Sequence, residues 1–492
     1  MKFKILTICS SILLGTISHA DTKTYHLEFD KDTYKTEHVH VDGKDIEVRA
    51  YTNIVYVKHP ADIKYEVINI YIPEQYFKND SINGYNANTA PIFFQNNIGG
   101  YMPATPATLI QQGPPMGPRS GKNINTPSTL AYAIAQGYVA VSPGARGRTD
   151  RYGKAPAAIV DLKAAVRYLK YNDQVMPGDA NKIISNGTSA GGAMSALLGA
   201  TGDNKDYIPY LNKLGAAQTS DKIFAVSSYC PITNLDHADM AYEWQLNQIH
   251  DYKKMNISML DYKVERKLVP GVLNSHEIKV SNDLKNAFPQ YLNTLKLYDK
   301  EGKLLTLDSM GNGSFKNLIK DYLIRSAQSA IDNGKDLSSY EWIKKDGKKV
   351  VDINFNGYLE YLGRAKTPPA FDALDLSSGE NEEFGNLQHD KQHFTSYALA
   401  NNQAKTNSMA DKKIIKMMNP MNYLNDSGVS QYWRIRHGAY DKDTSLAIPT
   451  ILAIRLENKN KKVDFALPWG VPHSGDYDLN ELFSWVNQIS RL

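Results

Sequence analysis

Residues 182–200, KIISNGTSAGGAMSALLGA, decide how the rest of the chain is read. A strand-like apolar piece, Lys182 to Ser185, runs into Gly187-Thr188-Ser189-Ala190-Gly191-Gly192, and a helix-like run from Ala193 to Ala200 follows. A Gly-x-Ser-x-Gly at a strand-to-helix junction is a nucleophile elbow: the glycines permit a tight turn and the serine hydroxyl is lifted above the sheet edge. The same glycines would suit a plain turn or a phosphate cradle, but the Lys-Ser/Thr pair of a Walker loop is missing. Ser189 is the candidate nucleophile.

Working outward, Tyr65 to Ile72, Pro91 to Gln95 and Tyr138 to Ser142 are β-branched and aromatic runs that read as strands, and a polar leader precedes them. Ile159, Leu162, Val166 and Leu169 recur with the spacing of one helix face, and Ile223 to Tyr229 is a further strand. Strands alternating with helices imply a parallel sheet covered on both sides. From about Pro231 to Pro420 the pattern changes to amphipathic helical stretches such as Asn317 to Asp332, with few strand-like runs, which reads as an insertion. Alternation resumes with a strand at Tyr432 to Arg436, a helix at Ser445 to Glu457, a strand at Val463 to Leu467 and a helix at Leu479 to Ile489. The expected division is a leader (1–20), an α/β domain in two parts (21–230 and 421–492), and a mainly helical insert (231–420) between them.

The 492 residues are 42% hydrophobic, enough for a large core, and the net charge of +4 excludes the strong field of a nucleic-acid or membrane-surface binder. Lys2 and Lys4 precede an apolar run, Ile5 to Ile17, and then Ser18-His19-Ala20, the pattern of a secretory signal cleaved after Ala20. The expected location is therefore secreted or periplasmic. No later apolar run of about 18 residues is present to insert in a membrane. Cleavage removes Cys9 and leaves Cys230 as the only cysteine, so no disulfide can form within the mature chain.

A serine hydroxyl needs a general base, and that base needs an orienting acid, both from later strand ends. His473, in Pro472-His473-Ser474-Gly475, follows the Val463 to Leu467 strand and is the candidate base. Asp441 and Asp443 both follow the Tyr432 to Arg436 strand; either could be the acid while the other caps the next helix, and spacing does not choose. Asp476 and Asp478 compete less well, because the first turn of the last helix also favours a carboxylate. The oxyanion formed on attack needs N–H donors, for which Ala190, after the nucleophile, and Gly100, in the Gly99-Gly100 pair after an early strand, are the candidates. Asp236, His237 and Asp239 read as a polar helix start rather than metal ligands, and Cys230 as a small core residue rather than a thiolate nucleophile. No metal or organic cofactor is implied.

From about Val48 to the C-terminus the chain resembles the bacterial tannases (tannin acyl hydrolases). The matching stretches are PGDANKIISNGTSAGGAMSALLGA, YCPITNLDHADMAYEWQ, FDALDL, WRIRHGAYDKDTSLAIP and FALPWGVPHSGDYDL. The resemblance implies an α/β-hydrolase with a large lid domain inserted above a mostly parallel sheet, and a small phenolic ester as substrate. It assigns Asp441 as the acid beside His473, and Asp443, Lys366 and Glu380 as contacts to the galloyl hydroxyls, with Ile232 on the ring face. Gly379 departs from the family, where proline is expected. Rival readings are a hydroxycinnamoyl (feruloyl) esterase or a serine peptidase of the same fold, and a non-catalytic binding protein on a hydrolase scaffold.

Overall fold

The computed structural model describes residues 23–111, 126–260 and 263–492; the expected leader, with Cys9, lies outside them. A nine-stranded sheet is built from β1 (Lys35–Val41), β2 (Lys44–Val55), β3 (Val67–Pro73), β4 (Pro91–Gln95), β5 (Val139–Pro143), β6 (Asp179–Thr188), β7 (Ala225–Tyr229), β8 (Tyr432–Arg436) and β9 (Lys462–Ala466). Their spatial order is β1-β2-β3-β5-β4-β6-β7-β8-β9. The first three strands and the β3–β5 pair are antiparallel; every pairing from β5 to β9 is parallel. This is the mostly parallel sheet of an α/β-hydrolase. All residues of β3, β5 and β7 are buried, as continuous apolar runs must be when helices cover both faces.

Helix Leu479–Ser490 packs on the sheet through Phe483, whose ring meets Phe93 of β4 edge-on at 5.4 Å. Helices Ala157–Tyr171 and Ala190–Ala200 bury nearly every side chain they carry. The segment read as a polar leader instead supplies β1 and β2. The reason is their edge position: Val39 and Val41 face the core while Glu37, His38 and His40 do not, so no continuous apolar run marks the strand.

Between β7 and β8 lie the helices Leu235–Leu246, Ser275–Thr294, Ser314–Asp332 and Phe355–Leu362, with shorter turns of helix after them. Helix Ser314–Asp332 buries Phe315, Ile319, Leu323, Ala327 and Ala330, one face of a 3.6-residue repeat. Two hairpins also lie there, Asp251–Leu260 with Lys263–Val272 and Ile343–Asp346 with Lys349–Ile353. They were not expected, because locally paired strands with exposed faces can be rich in lysine and aspartate and still form. Within this region a buried bidentate pair joins two segments, Arg364 Nη1 and Nη2 donating to Glu243 at 2.8 and 2.6 Å. The helix after β8 begins at Ala447 rather than Ser445. The Ser445 hydroxyl accepts from Ala447 N–H (3.2 Å), so neither Asp441 nor Asp443 serves as its cap.

Candidate active site

Ser189 stands between β6 and helix Ala190–Ala200 at φ 62° and ψ −122°, a conformation an L-residue adopts only when its surroundings force it. The force comes from close packing. A Cβ at Gly187 would stand 2.3 Å from Gly191 O, one at Gly191 would stand 2.6 Å from Asn96 Oδ1, and one at Gly192 would stand 2.6 Å from Tyr229 O. Ser189 N–H donates to Tyr229 O at the end of β7 (2.9 Å), which holds the strained residue in place. Asn96, just after β4, donates from Nδ2 to Asn186 O, Gly191 O and the Ser195 hydroxyl, at 3.2, 3.0 and 3.0 Å. The elbow is thus bonded on both sides to strand ends.

His473 Nε2 is 2.8 Å from Ser189 Oγ, and its Nδ1 is 2.8 Å from Asp441 Oδ2. The loops carrying the two residues are zipped together by Ala439 N–H to Pro468 O (2.9 Å) and Tyr440 N–H to Val471 O (3.0 Å). Gly475 lets the histidine loop lie on the elbow: a Cβ there would fall 1.8 Å from Thr188 Oγ1. Asp441 is fully buried, which raises its pKa, but His473 and His437 beside it outweigh burial and hold the carboxyl at about 2. Burial lowers the pKa of His473, and the Asp441 carboxylate together with Cys230 more than offsets this, so the imidazole is held well above its usual value. Cys230 does more than fill the core. Its Sγ lies 3.9 Å from His473 Nε2 and donates to Ser474 O at 3.5 Å, while burial pushes the thiol up and keeps it protonated.

On the other side of the imidazole, Asp443 Oδ2 is 3.5 Å from His473 Nε2 and Asp443 Oδ1 is 3.8 Å from Lys366 Nζ. Lys366 comes from the region between β7 and β8, with its ammonium 4.1 Å above the Phe371 ring. Its backbone is fixed by the Tyr242 hydroxyl, which accepts from Ala365 and Lys366 N–H (3.2 Å each) and donates to Lys442 O (3.0 Å). Glu380 lies in the short helix Gly379–Glu383, capped by Ser378. Burial raises its pKa, the charges of Lys366 and Arg148 pull it down, and the Asp443 carboxylate adds to the rise. At Gly379 the space a side chain would need is filled by the Arg148 guanidinium, whose Cζ lies 3.0 Å from the would-be Cβ.

Ile232 is buried, with its N–H donating to Ser189 O (3.3 Å) and its carbonyl accepting from the Tyr101 hydroxyl (3.0 Å). Ala190 heads the elbow helix, where a first N–H has no intrahelical acceptor. Gly100 sits in the turn after β4 at φ 56°.

The competing carboxylates have other work. Asp478 accepts from the Tyr229 hydroxyl (2.5 Å) and pairs with Arg434, and Asp476 accepts from Asn186 Nδ2 (2.9 Å) and the Thr129 hydroxyl (2.8 Å). Both bind strand ends together rather than capping the last helix. Asp236 accepts from Asn419 Nδ2 (2.7 Å), His237 stacks on Tyr291 at 3.7 Å, and Asp239 accepts from Phe371 and Asp372 N–H, at 2.7 and 3.1 Å. Asp236 and His237 also meet each other, Oδ1 to Nδ1 at 3.3 Å, while Asp239 is taken up by backbone N–H groups. Among the described residues, the atoms of Cys230, Asp441 and His473 lie within 4.8 Å of one another, but His473 and Asp441 are engaged with each other and with Ser189. Arg148, Tyr242 and Asn96 escaped the sequence reading, since their roles arise from contacts across tens to hundreds of residues that no local pattern announces.

A family model described as BD-FAE matches residues 116–269, the part of the chain that holds the elbow. A search of curated proteins found no match. Among solved structures, a tannase from Fusobacterium nucleatum is 52% identical, covering 95% of this chain and 100% of that one, with a TM-score of 0.89. A tannase from Lactobacillus plantarum is 45% identical over 94% of this chain and 100% of that one, TM-score 0.89. A tannin acyl hydrolase in complex with ethyl gallate is 46% identical over 94% of this chain and 99% of that one, TM-score 0.86. With such identity across nearly the full length of both partners, this chain belongs to the bacterial tannases, carboxylic ester hydrolases also called tannin acyl hydrolases.

Proposed function

We propose that the chain cleaves galloyl esters, including gallotannins, through a galloyl-enzyme intermediate, and that Ser189, His473 and Asp441 form its catalytic triad. The observation that carries the reading is the unbroken line of 2.8 Å contacts from Ser189 Oγ through His473 to Asp441. Ser189 Oγ attacks the ester carbonyl as His473 Nε2 takes its proton, and the buried Asp441 carboxylate stabilises the imidazolium. The oxyanion accepts from Ala190 and Gly100 N–H. The tetrahedral species collapses, and the alcohol leaves with the proton from Nε2. Water then repeats the sequence on the galloyl-serine and releases gallic acid.

Lys366, Asp443 and Glu380 are assigned to the three phenolic hydroxyls, with Ile232 on the ring face. A hydroxyl both donates and accepts, which suits an ammonium beside two carboxylates. Once the ring covers such groups, the site discriminates strongly against an analogue lacking a hydroxyl, because its own polar groups are then left unpaired. The mature region between β7 and β8 acts in this reading as a lid domain, the roof that brings Lys366 and Glu380 over Ser189. The N-terminal segment directs export, so the mature protein recovered outside the cytosol should begin at Asp21; a cytosolic chain still starting at Met1 would count against it.

The deciding experiment is kinetic. Ser189→Ala should lower kcat on methyl gallate by about 10⁴-fold or more with the fold intact, and near wild-type cleavage would refute the triad. Lys366→Ala should hurt methyl gallate more than methyl benzoate, and equal losses would remove the galloyl assignment. Methyl ferulate cleaved faster than methyl gallate would favour the hydroxycinnamoyl alternative.

A further inference from the structure

The Gly99–Met102 turn closes with Met102 N–H donating to Gly99 O (3.0 Å), and both of its central residues, Gly100 and Tyr101, are at positive φ, 56° and 58°. Apart from its chain neighbours, no atom of the described residues lies within 4 Å of the point where a Gly100 side chain would begin, and glycine leaves its torsions free unless hydrogen bonds restrain them. Arg148 supplies two such bonds. Its backbone N–H donates to Tyr101 O (2.8 Å) and its Nε donates to Gly100 O (2.8 Å).

The same guanidinium reaches the insert. Nη1 pairs with Glu382, and Cζ, Nε and Nη2 lie 3.0, 3.2 and 3.3 Å from the would-be Cβ of Gly379. Glu382 and Gly379 belong to the Gly379–Glu383 helix that carries Glu380. A guanidinium is a rigid fork with donors in several fixed directions, so it can serve the turn and the helix together; a lysine ammonium on a flexible stem holds neither direction.

We propose that Arg148 is a positioning residue for ester hydrolysis: it locks the turn that presents the Gly100 N–H to the helix that carries Glu380, and Gly379 is bare so that the guanidinium fits. Oxyanion stabilisation and the acyl pocket are thereby set by one side chain. The inference rests on the oxyanion role given to Gly100 above.

The test is a set of four variants, Arg148→Ala, Arg148→Lys, Gly379→Ala and the Arg148→Ala/Gly379→Ala double, with kcat and KM on methyl gallate, thermal unfolding, and affinity for phenylboronic acid, which forms a tetrahedral adduct on an active serine. Arg148→Ala should lower kcat by about 10- to 100-fold, short of deleting an oxyanion donor, with KM within about threefold. It should weaken boronate binding by a similar factor and gallic acid binding by only a few-fold, since the Glu380 helix loses its tie to the turn. Arg148→Lys should recover only part of kcat. Gly379→Ala should lose a few-fold and add nothing once Arg148 is gone, the non-additivity of groups in contact. Wild-type kcat in Arg148→Ala, or losses at the two positions that multiply, would overturn the proposal. Boronate failing to bind wild type would instead strike the serine mechanism itself, so the two failures are told apart.

Discussion

His473 is pulled in opposite directions, by burial toward the neutral form and by the Asp441 carboxylate toward the charged one, and the carboxylate prevails. The base must be neutral to accept the serine proton, so kcat/KM should fall as pH drops through a value above 6.5, the ordinary histidine pKa. Asp441→Asn removes the charge that raises this pKa. The acid limb of the profile should move to lower pH while kcat on methyl gallate drops by about 10⁴-fold, because the tautomer and orientation of the ring are lost. An unshifted acid limb would show that another group governs it. Reading residues alone left Asp441 and Asp443 equivalent. Coordinates separate them: Asp441 meets Nδ1 at 2.8 Å from within the core, whereas Asp443 faces the Nε2 side at 3.5 Å and points toward Lys366.

At the scale of elements, the strand-elbow-helix unit was legible because its constraints are local. Tight turns need glycine, and a fully buried helix needs an uninterrupted run of small and apolar residues, here Ala190–Ala200. What was not legible is why each glycine is bare. Gly191 is pressed on by Asn96 and by Ile98 O, 2.6 and 2.8 Å from its would-be Cβ, contacts made across about ninety residues. Gly191→Ala should cost about 1–3 kcal/mol by overpacking and lower both Tm and kcat. A thermal scan with Tm unchanged would mean that the loop after β4 yields without resistance. The hairpin and edge strands were invisible for a related reason: β1 shows a buried residue only at alternate positions near its end, and its pairing with β2 comes from register, not from composition.

At the scale of the molecule, the proposed galloyl site requires the region between β7 and β8 to hold Lys366 and Glu380 at fixed places over Ser189. Arg364 is the anchor. Besides the Glu243 pair, it donates to Ile249 O and Leu246 O, at 2.8 and 2.9 Å, and to the carbonyl of Lys366 itself at 3.2 Å. Arg364→Ala should destabilise by about 3–5 kcal/mol, since it strands a buried carboxylate, and raise KM for methyl gallate through Lys366. Arg364→Met with Glu243→Leu should regain much of the stability by removing both charges together. Denaturant titration of the three chains checks this; a double variant as unstable as Arg364→Ala would put the cause in packing instead.

The sequence by itself determined the α/β class, the elbow at Ser189, the place of the histidine loop and the existence of a long interruption in the sheet pattern. Each of these follows from periodicity, turn chemistry and the order of elements along the chain. Between Asp441 and Asp443, local pattern left the choice open and the family resemblance named Asp441; only the tertiary structure decided that Asp476 and Asp478 clamp strand ends and that Arg148 occupies the space beside Gly379. Those outcomes depend on distances between segments far apart in the chain, and a charged side chain looks the same in a sequence whether it is solvated or enclosed.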